Sequence, residues 1–354
     1  MMPIIAAEKN DLKRAWTDLR EENPNLRIRE AAEKLNVGEA ELLATGGGGA
    51  AVTRLQPPFA AILQNCQTLG RIMALTRNDE IVHERKGEYG GVEVFDGHGK
   101  MGLVLGDDID LRIFFANWHF GFAVSGESPR GTLRSLQFFA ADGTAVHKVF
   151  LTDQSDLAAY ENLVEKFRAA DQNSPLEFSP KPEKSIEKPD AEIDVENFQK
   201  AWAELKDTHD FFPLLRKFGV EREQALRLAN REMAREVGAD SFKFVLEGAS
   251  ERQLPIMIFV GNAGIIQIHT GAVEKVVEAR GWFNVLDEKF NLHINQEKIR
   301  RAWIVKKPTA DGTVTSLELF NETGENVALF FGKRKPGVPE SEDWRRLVKD
   351  SSER

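Results

Sequence analysis

The chain has 354 residues, which is room for two ordinary cores, and a formal net charge of −9. Its one cysteine, Cys66, excludes a disulfide framework and any multi-cysteine zinc or iron–sulfur site, and fits a reducing compartment. The acidic balance argues against a general nucleic-acid or anionic-membrane surface. With no basic-plus-apolar leader and no run of 18 apolar residues, the expected location is cytoplasmic, without membrane insertion.

After an amino-terminal tail, Leu12 to Leu19 and Ile28 to Leu43 have helical spacing, the second through Ala31, Leu35, Ala40 and Leu43, with Gly46 to Gly49 as its stop. From Ile72 onward, short runs rich in Val, Ile, Phe and Leu alternate with Asp-Gly and Gly-Glu turns, the texture of a meandering antiparallel sheet. Leu157 to Phe167 predicts a closing helix. Residues 171–195 carry Ser174-Pro175, Ser179-Pro180, Lys181-Pro182 and Lys188-Pro189 among Lys and Glu, a linker composition. Beyond it the order recurs: helices over Phe198–Leu205 and Arg222–Val237, strands from Ile256 to Phe331, and a last helix near Asp343–Lys349.

The recurrence is also one of residues. Gly131 to Phe139 (GTLRSLQFF) aligns with Gly312 to Phe320 (GTVTSLELF), and Gly143, Val146 and Phe150 recur as Gly324, Val327 and Phe331. Ile109 to Ile113 matches Phe290 to Ile294, and Ala15-Trp16 matches Ala201-Trp202. A period of about 180 residues is a duplicated, fused domain, since solenoids repeat every 20 to 50. The expected architecture is α+β, with a first repeat over 1–170, a linker over 171–195 and a second repeat over 196–354, each a large antiparallel sheet flanked by helices.

The duplication makes one copy a control for the other. Leu26 to Gly46 suits a helix-turn-helix, with Arg27, Arg29 and Lys34 toward phosphates, but Glu30, Glu33, Glu39 and Glu41 dilute the charge and the second copy lacks the basic residues. A DNA-binding regulator built on this segment is therefore a remote reading. None of the seven histidines pairs with another at zinc-motif spacing, and His98, His119, His147 and His269 read as structural. His209 is different. It replaces Asn23 of the first copy and sits beside Phe211, Phe212, Leu214 and Leu215, one nitrogen ligand against an apolar wall, which suits a haem.

Asp207 to Phe212 with Leu214-Leu215, Phe259 to Asn262, Gln267 to Gly271, Lys307 to Gly312 and Thr315 to Phe320 together resemble the bacterial cytoplasmic haem-trafficking and haem-degrading family of HemS, ChuS and PhuS. Arg77-Asn78, Val82 to Glu84 and Asp110 to Phe114 extend the resemblance into the first half. It implies one haem b, as ligand or substrate, in a cleft between the halves. His209 would be the axial iron ligand. Arg112 would reach over the opposite face, where a guanidinium can hydrogen-bond a water, hydroxide or dioxygen. Arg222, Lys307 and Arg334 match positions that meet the propionates. Two departures fall on the last strand: Phe331 stands where relatives carry tyrosine, and Leu329 at a glutamine position. His83 matches a second haem site of some relatives. His293 occupies the place of Arg112 in the second copy.

The resemblance implies a carrier that shields imported haem and passes it to a haem oxygenase or store, with that oxygenase and an inner-membrane haem importer as expected partners. The alternative is an enzyme that opens the porphyrin with dioxygen and an external reductant, with Arg112 as its distal catalytic residue. Gly46 to Gly49 lacks the strand and helix context of a nicotinamide or flavin fingerprint, so a reductant would come from outside.

Overall fold

Apolar residues at alternate positions form strands, and those at helical spacing form helices, in the computed structural model, which describes residues 6–95, 100–128, 131–184, 186–334 and 337–352. His98 lies outside the described residues. The first repeat runs α1 (Ala6–Glu22), α2 (Ile28–Leu35), α3 (Glu39–Ala44), β1 (Ala51–Leu55), α4 (Phe59–Asn65), β2 (Gly70–Arg77), β3 (Ile81–Glu88), β4 (Val92–Phe95), β5 (Met101–Leu105), β6 (Asp110–Phe114), β7 (Phe120–Ser128), β8 (Gly131–Phe139), β9 (Ala145–Ser155) and α5 (Leu157–Phe167). The second runs α6 (Val195–Ala203), α7 (Phe211–Phe218), α8 (Arg222–Leu228), β10 (Ala234–Val237), α9 (Ser241–Glu251), β11 (Ile256–Asn262), β12 (Ile265–Gly271), β13 (Val276–Ala279), β14 (Trp282–Leu286), β15 (Phe290–Asn295), β16 (Arg301–Thr309), β17 (Gly312–Phe320), β18 (Asn326–Gly332) and α10 (Glu342–Asp350). The two orders match element for element, as a duplication requires.

Three sequence expectations need correction. The helix expected over Ile28–Leu43 breaks at Asn36, which takes a left-handed conformation with φ 53°, one that Asn tolerates better than most residues. The helix expected over Arg222–Val237 ends at Leu228: the Asn230 side chain accepts from the Glu232 N–H at 2.9 Å, a local turn that redirects the chain into β10. The early strand β1 and helices α4, α7 and α9 were not foreseen. Yet α4 and α9 show one apolar spacing, with Phe59, Ile62 and Leu63 buried in the first and Phe242, Val245 and Leu246 in the second. The glycine run has a packing role, because a Cβ on Gly48 would stand 2.5 Å from the indole of Trp16.

The strands make two antiparallel sheets of nine. By compactness the chain forms two units, and each includes six residues of the other repeat: unit one is 1–77, 84–183 and 262–267, and unit two is 78–83, 184–261 and 268–354. Unit one contains the strand runs β1-β7-β8-β9-β2-β3 and β12-β6-β5-β4; unit two contains β10-β16-β17-β18-β11-β12 and β3-β15-β14-β13, with β3 and β12 each divided between them. Asparagines seat the exchanged segments. In unit two, Asn78 Nδ2 donates to the carbonyls of Gly261 (3.2 Å) and Val327 (2.8 Å); in unit one, Asn262 Nδ2 donates to those of Arg77 and Val146, both at 2.9 Å. The acceptors are themselves repeat equivalents.

In unit two, Ile258, Leu317, Leu319 and Phe330 on one sheet face bury against α9 and α10 through Phe242, Val245, Trp344 and Leu347. Trp303, Val305 and Phe320 on the other face bury against α6, α7 and α8 through Trp202, Phe211 and Ala225. Unit one repeats this with Ile72, Leu136, Phe138 and Val149 against α4 and α5. Each large apolar side chain so buried contributes about 1.5–3 kcal/mol. The proline-rich stretch is tied at both ends: Phe178 packs on Phe120 at 4.8 Å in unit one, and Gln224 Nε2 holds the Lys188 carbonyl at 2.6 Å in unit two.

Candidate functional site

His209 sits on a single 3-10 turn, Thr208–Asp210, that leads into α7. The loop before it is anchored to β16 by the Trp202 indole N–H on the Lys306 carbonyl at 3.0 Å and by the Ala310 N–H on the Lys206 carbonyl at 2.9 Å. Pro213 falls in the first turn of α7, where its missing N–H costs nothing. Asp207 caps the turn. Its Oδ1 accepts from the His209 backbone N–H at 2.8 Å and lies 2.7 Å from ring Nδ1. These two bonds, backbone first, hold the Asp207 carboxyl below the usual range, and the charge of Arg334 adds to the pull. An ionised carboxylate only accepts, so Nδ1 carries the proton and Nε2 presents a lone pair. The ring is 91% exposed and Nε2 has no hydrogen-bond partner among the described residues. This is the arrangement of a metal-ligating imidazole, oriented and made more basic by its carboxylate.

Behind the histidine loop lies a buried charge cluster. Glu318 on β17, fully buried, accepts from Arg222 Nε (2.8 Å) and Nη2 (2.9 Å), from Lys307 Nζ (2.7 Å) and from Ser316 Oγ (3.0 Å). The ring of Phe211 lies 4.5 Å from Lys307 Nζ and 5.3 Å from the Arg222 guanidinium carbon, linking the cluster to the His209 turn. Burial works to raise the Glu318 carboxyl, but the two cations and their hydrogen bonds outweigh it and hold it down at about 2. Lys307 is pushed down to about 8 by burial and by Arg222, against the pull of Glu318. Two cations on one carboxylate leave one positive charge uncompensated. The sequence places Arg222 and Lys307 as free cationic donors; in the structure both are tied to Glu318, Lys307 being buried and Arg222 a quarter exposed. Arg334 follows β18 and is half-buried.

On the same sheet face, the register Met257↔Phe331 and Phe259↔Leu329 sets four half-buried apolar side chains side by side, next to Glu318, which pairs with Leu329. Phe331 and Phe259 meet edge-on at 5.2 Å. Partly exposed apolar side chains grouped in this way are the kind of surface that an apolar ligand or partner covers.

Arg112 belongs to unit one. Leu111 and Ile113 on β6 point into the core, so Asp110, Arg112 and Phe114 point the other way, with Leu105, Leu103 and Met101 of β5 as their cross-strand neighbours. Leu105 and Met101 are exposed, so Arg112 rises from an apolar surface. Its Nη1 donates to the Asp110 carboxylate and to the Leu111 carbonyl (3.2 Å), its hydrogen-bond partners among the described residues. In the second repeat, His293 Nδ1 bonds Asn284 Oδ1 at 2.7 Å, a polar pair in place of the arginine.

The remaining histidines split as their burial dictates. His147 is buried with Thr76 Oγ1 on Nδ1 (2.9 Å) and Tyr89 Oη on Nε2 (2.5 Å), and burial pushes its pKa down to about 3. His269 stacks on Phe290 at 3.8 Å, His83 is buried against the same ring at 5.0 Å, and His119 is exposed. Sequence reasoning missed the roles of Asp207, Glu318, Met257 and Phe259. Only Glu318 had a signal, because it replaces Gln137 of the first repeat.

Glu318 gives the fold a pH dependence. Its carboxyl lies at about 2 against the usual 4.5, so its contribution is complete above 4.5 and is lost as pH falls toward 2. Glu318→Gln should cost about 3–5 kcal/mol at neutral pH by leaving two cations uncompensated. In thermal melts the gap between parent and variant should narrow from pH 4.5 to pH 2; a constant gap would contradict the assignment.

The pattern of the haemin-degrading HemS.ChuX domain matches residues 36–167 and 219–351, one copy in each repeat. The hemin transport protein HmuS of Yersinia pestis is 36% identical over 341 residues, covering 95% of this chain and 96% of that protein. Holo-PhuS, a heme-binding protein from Pseudomonas aeruginosa, superposes with a TM-score of 0.92 at 49% identity, over 96% of this chain and 98% of that one. The Escherichia coli O157:H7 heme degrading enzyme ChuS does so with a TM-score of 0.88 at 34% identity, over 97% and 99%. Matched in both repeats and along nearly its whole length, the chain belongs to the haemin-degrading HemS.ChuX-domain family.

Proposed function

We propose that the protein binds haem through His209 and acts as a haem carrier in the cytoplasm, passing its cargo from an importer to a haem oxygenase or store. The observation that carries this reading is the exposed imidazole whose Nδ1 is pinned by Asp207 and whose Nε2 faces outward with its lone pair. Iron in a porphyrin supplies a vacant axial position for that lone pair. The residues around it fit the rest of the molecule. Met257, Phe259, Leu329 and Phe331 offer an apolar floor, and the uncompensated charge of the Arg222–Lys307–Glu318 cluster, with Arg334, offsets propionate charge. On this reading Phe331 and Leu329 give the haem apolar contact where a hydroxyl and an amide would have given hydrogen bonds. Arg112, with two of its guanidinium nitrogens uncommitted, is our proposal for the cationic donor on the opposite face of the haem.

The carrier reading is favoured by the 49% identity to PhuS, described as a heme-binding protein, over the 34% identity to ChuS, described as a heme oxygenase. The degrading reading keeps the same residues and assigns Arg112 to the reacting face.

Haem titrated into His209→Ala should give a displaced Soret band and a large loss of affinity. Asp207→Ala should keep the ligand but bind about 10–100-fold more weakly. An unchanged band and affinity in His209→Ala would remove the foundation of the proposal. For the carrier, protein loaded with haem anaerobically, then given ascorbate and oxygen with catalase present, should keep its haem spectrum and release haem intact to apo-myoglobin. Catalase-resistant conversion to an open tetrapyrrole, abolished in Arg112→Ala, would establish the enzyme instead.

A further inference from the structure

Away from the histidine loop, on the opposite face of the same sheet, unit two holds a concavity of about 490 Å³. Ile304 and Lys306 of β16 and Thr313 and Thr315 of β17 form its floor, Arg231, Glu232 and Arg235 one side, and Arg345 and Lys349 of α10 the other. Its charge is one-sided within a chain of net charge −9. Arg345 is paired with two carboxylates, Glu340 (3.3 Å) and Glu342 (2.9 Å). The remaining cations, Arg231, Arg235, Lys306 and Lys349, share the lining with one carboxylate, Glu232, so that with Glu340 and Glu342 counted the groove has five cations against three carboxylates; of these four, Arg235 alone has a side-chain partner among the described residues, the uncharged Ser352 hydroxyl.

The duplication shows that the fold does not need the charges of Arg235 and Lys306. At the positions of Arg235 and Lys306 the strand register of the first repeat places Thr53 and Ser125, with one arginine, Arg134, at the position of Thr315. Four cations converging on a cavity the size of one small ligand meet an anion of high charge density. No aromatic side chain lines the cavity, so it offers no surface for stacking a base. We propose that this groove is a binding site for a short phosphate chain, either free inorganic polyphosphate or the phosphates of a nucleotide, independent of the haem-binding residues. A volume of about 490 Å³ suits one small ligand rather than the extended backbone track a nucleic acid requires.

The test is calorimetry on the haem-free full-length protein at low ionic strength, with tripolyphosphate in one arm and ATP in another. Both should bind one site with affinities within a few-fold of each other, because the phosphates carry the recognition. Lys306→Gln/Lys349→Gln, folded by circular dichroism, should bind each at least about tenfold more weakly and leave the haem titration unchanged. No heat with tripolyphosphate, equal binding by the double variant, or binding of ATP or of a duplex oligonucleotide without tripolyphosphate would each overturn the proposal.

Discussion

One carboxylate decides which nitrogen of His209 faces outward. Asp207 is held ionised by two N–H groups of the residue it orients, so the ring has one proton-bearing nitrogen turned inward and one lone pair turned to solvent. A free imidazole samples both tautomers and many rotamers, and selecting one costs affinity each time a ligand binds. Here the selection is made in the folded chain by a two-residue spacing and a single 3-10 turn, which Trp202 and Ala310 tie to β16. Everything attributed to the site depends on that turn keeping its shape.

The turn keeps its shape partly because of what lies beneath Phe211. Glu318 in a neutral environment would be a liability; between Arg222 and Lys307 it is a counter-ion that holds two cations near the sheet surface and leaves a net positive charge there. The first repeat has the same backbone without the chemistry. Gln137 stands at the position of Glu318, bonds Ser135 Oγ at 2.9 Å, and has a buried carbonyl oxygen with no partner among the described residues. The reverse holds on the short strands, where the first repeat shows Arg112 among apolar neighbours and the second a satisfied His293–Asn284 pair. After duplication, each copy kept the fold and took different chemistry at equivalent positions.

Much of this was legible in the residues alone. The repeat, the α+β class, the sheet-rich middle of each half and the helix Leu157–Phe167 follow from periodicity, and His209 stood out because its repeat partner is Asn23. What escaped was local backbone chemistry and long-range pairing. Asn36 splits a helical pattern by going left-handed, and Asn230 ends another by a side-chain turn, neither of which alters hydrophobic spacing. Asp207 reads as an ordinary cap until its oxygen is seen 2.7 Å from the ring, and Lys307 and Arg222 read as free cationic donors until Glu318 is found between them. The six-residue exchanges around Asn78 and Asn262 are contacts far apart in sequence, which no local pattern encodes.

The most direct measurement is long-range ¹H–¹⁵N correlation NMR of the haem-free protein with labelled histidine, at a pH where the His209 ring is neutral. The account predicts that His209 is the Nδ1–H tautomer, with Nε2 unprotonated, and that Asp207→Ala returns it to a tautomeric mixture. Finding the Nε2–H tautomer in the parent protein would contradict it, because the nitrogen assigned to the iron would already carry a proton.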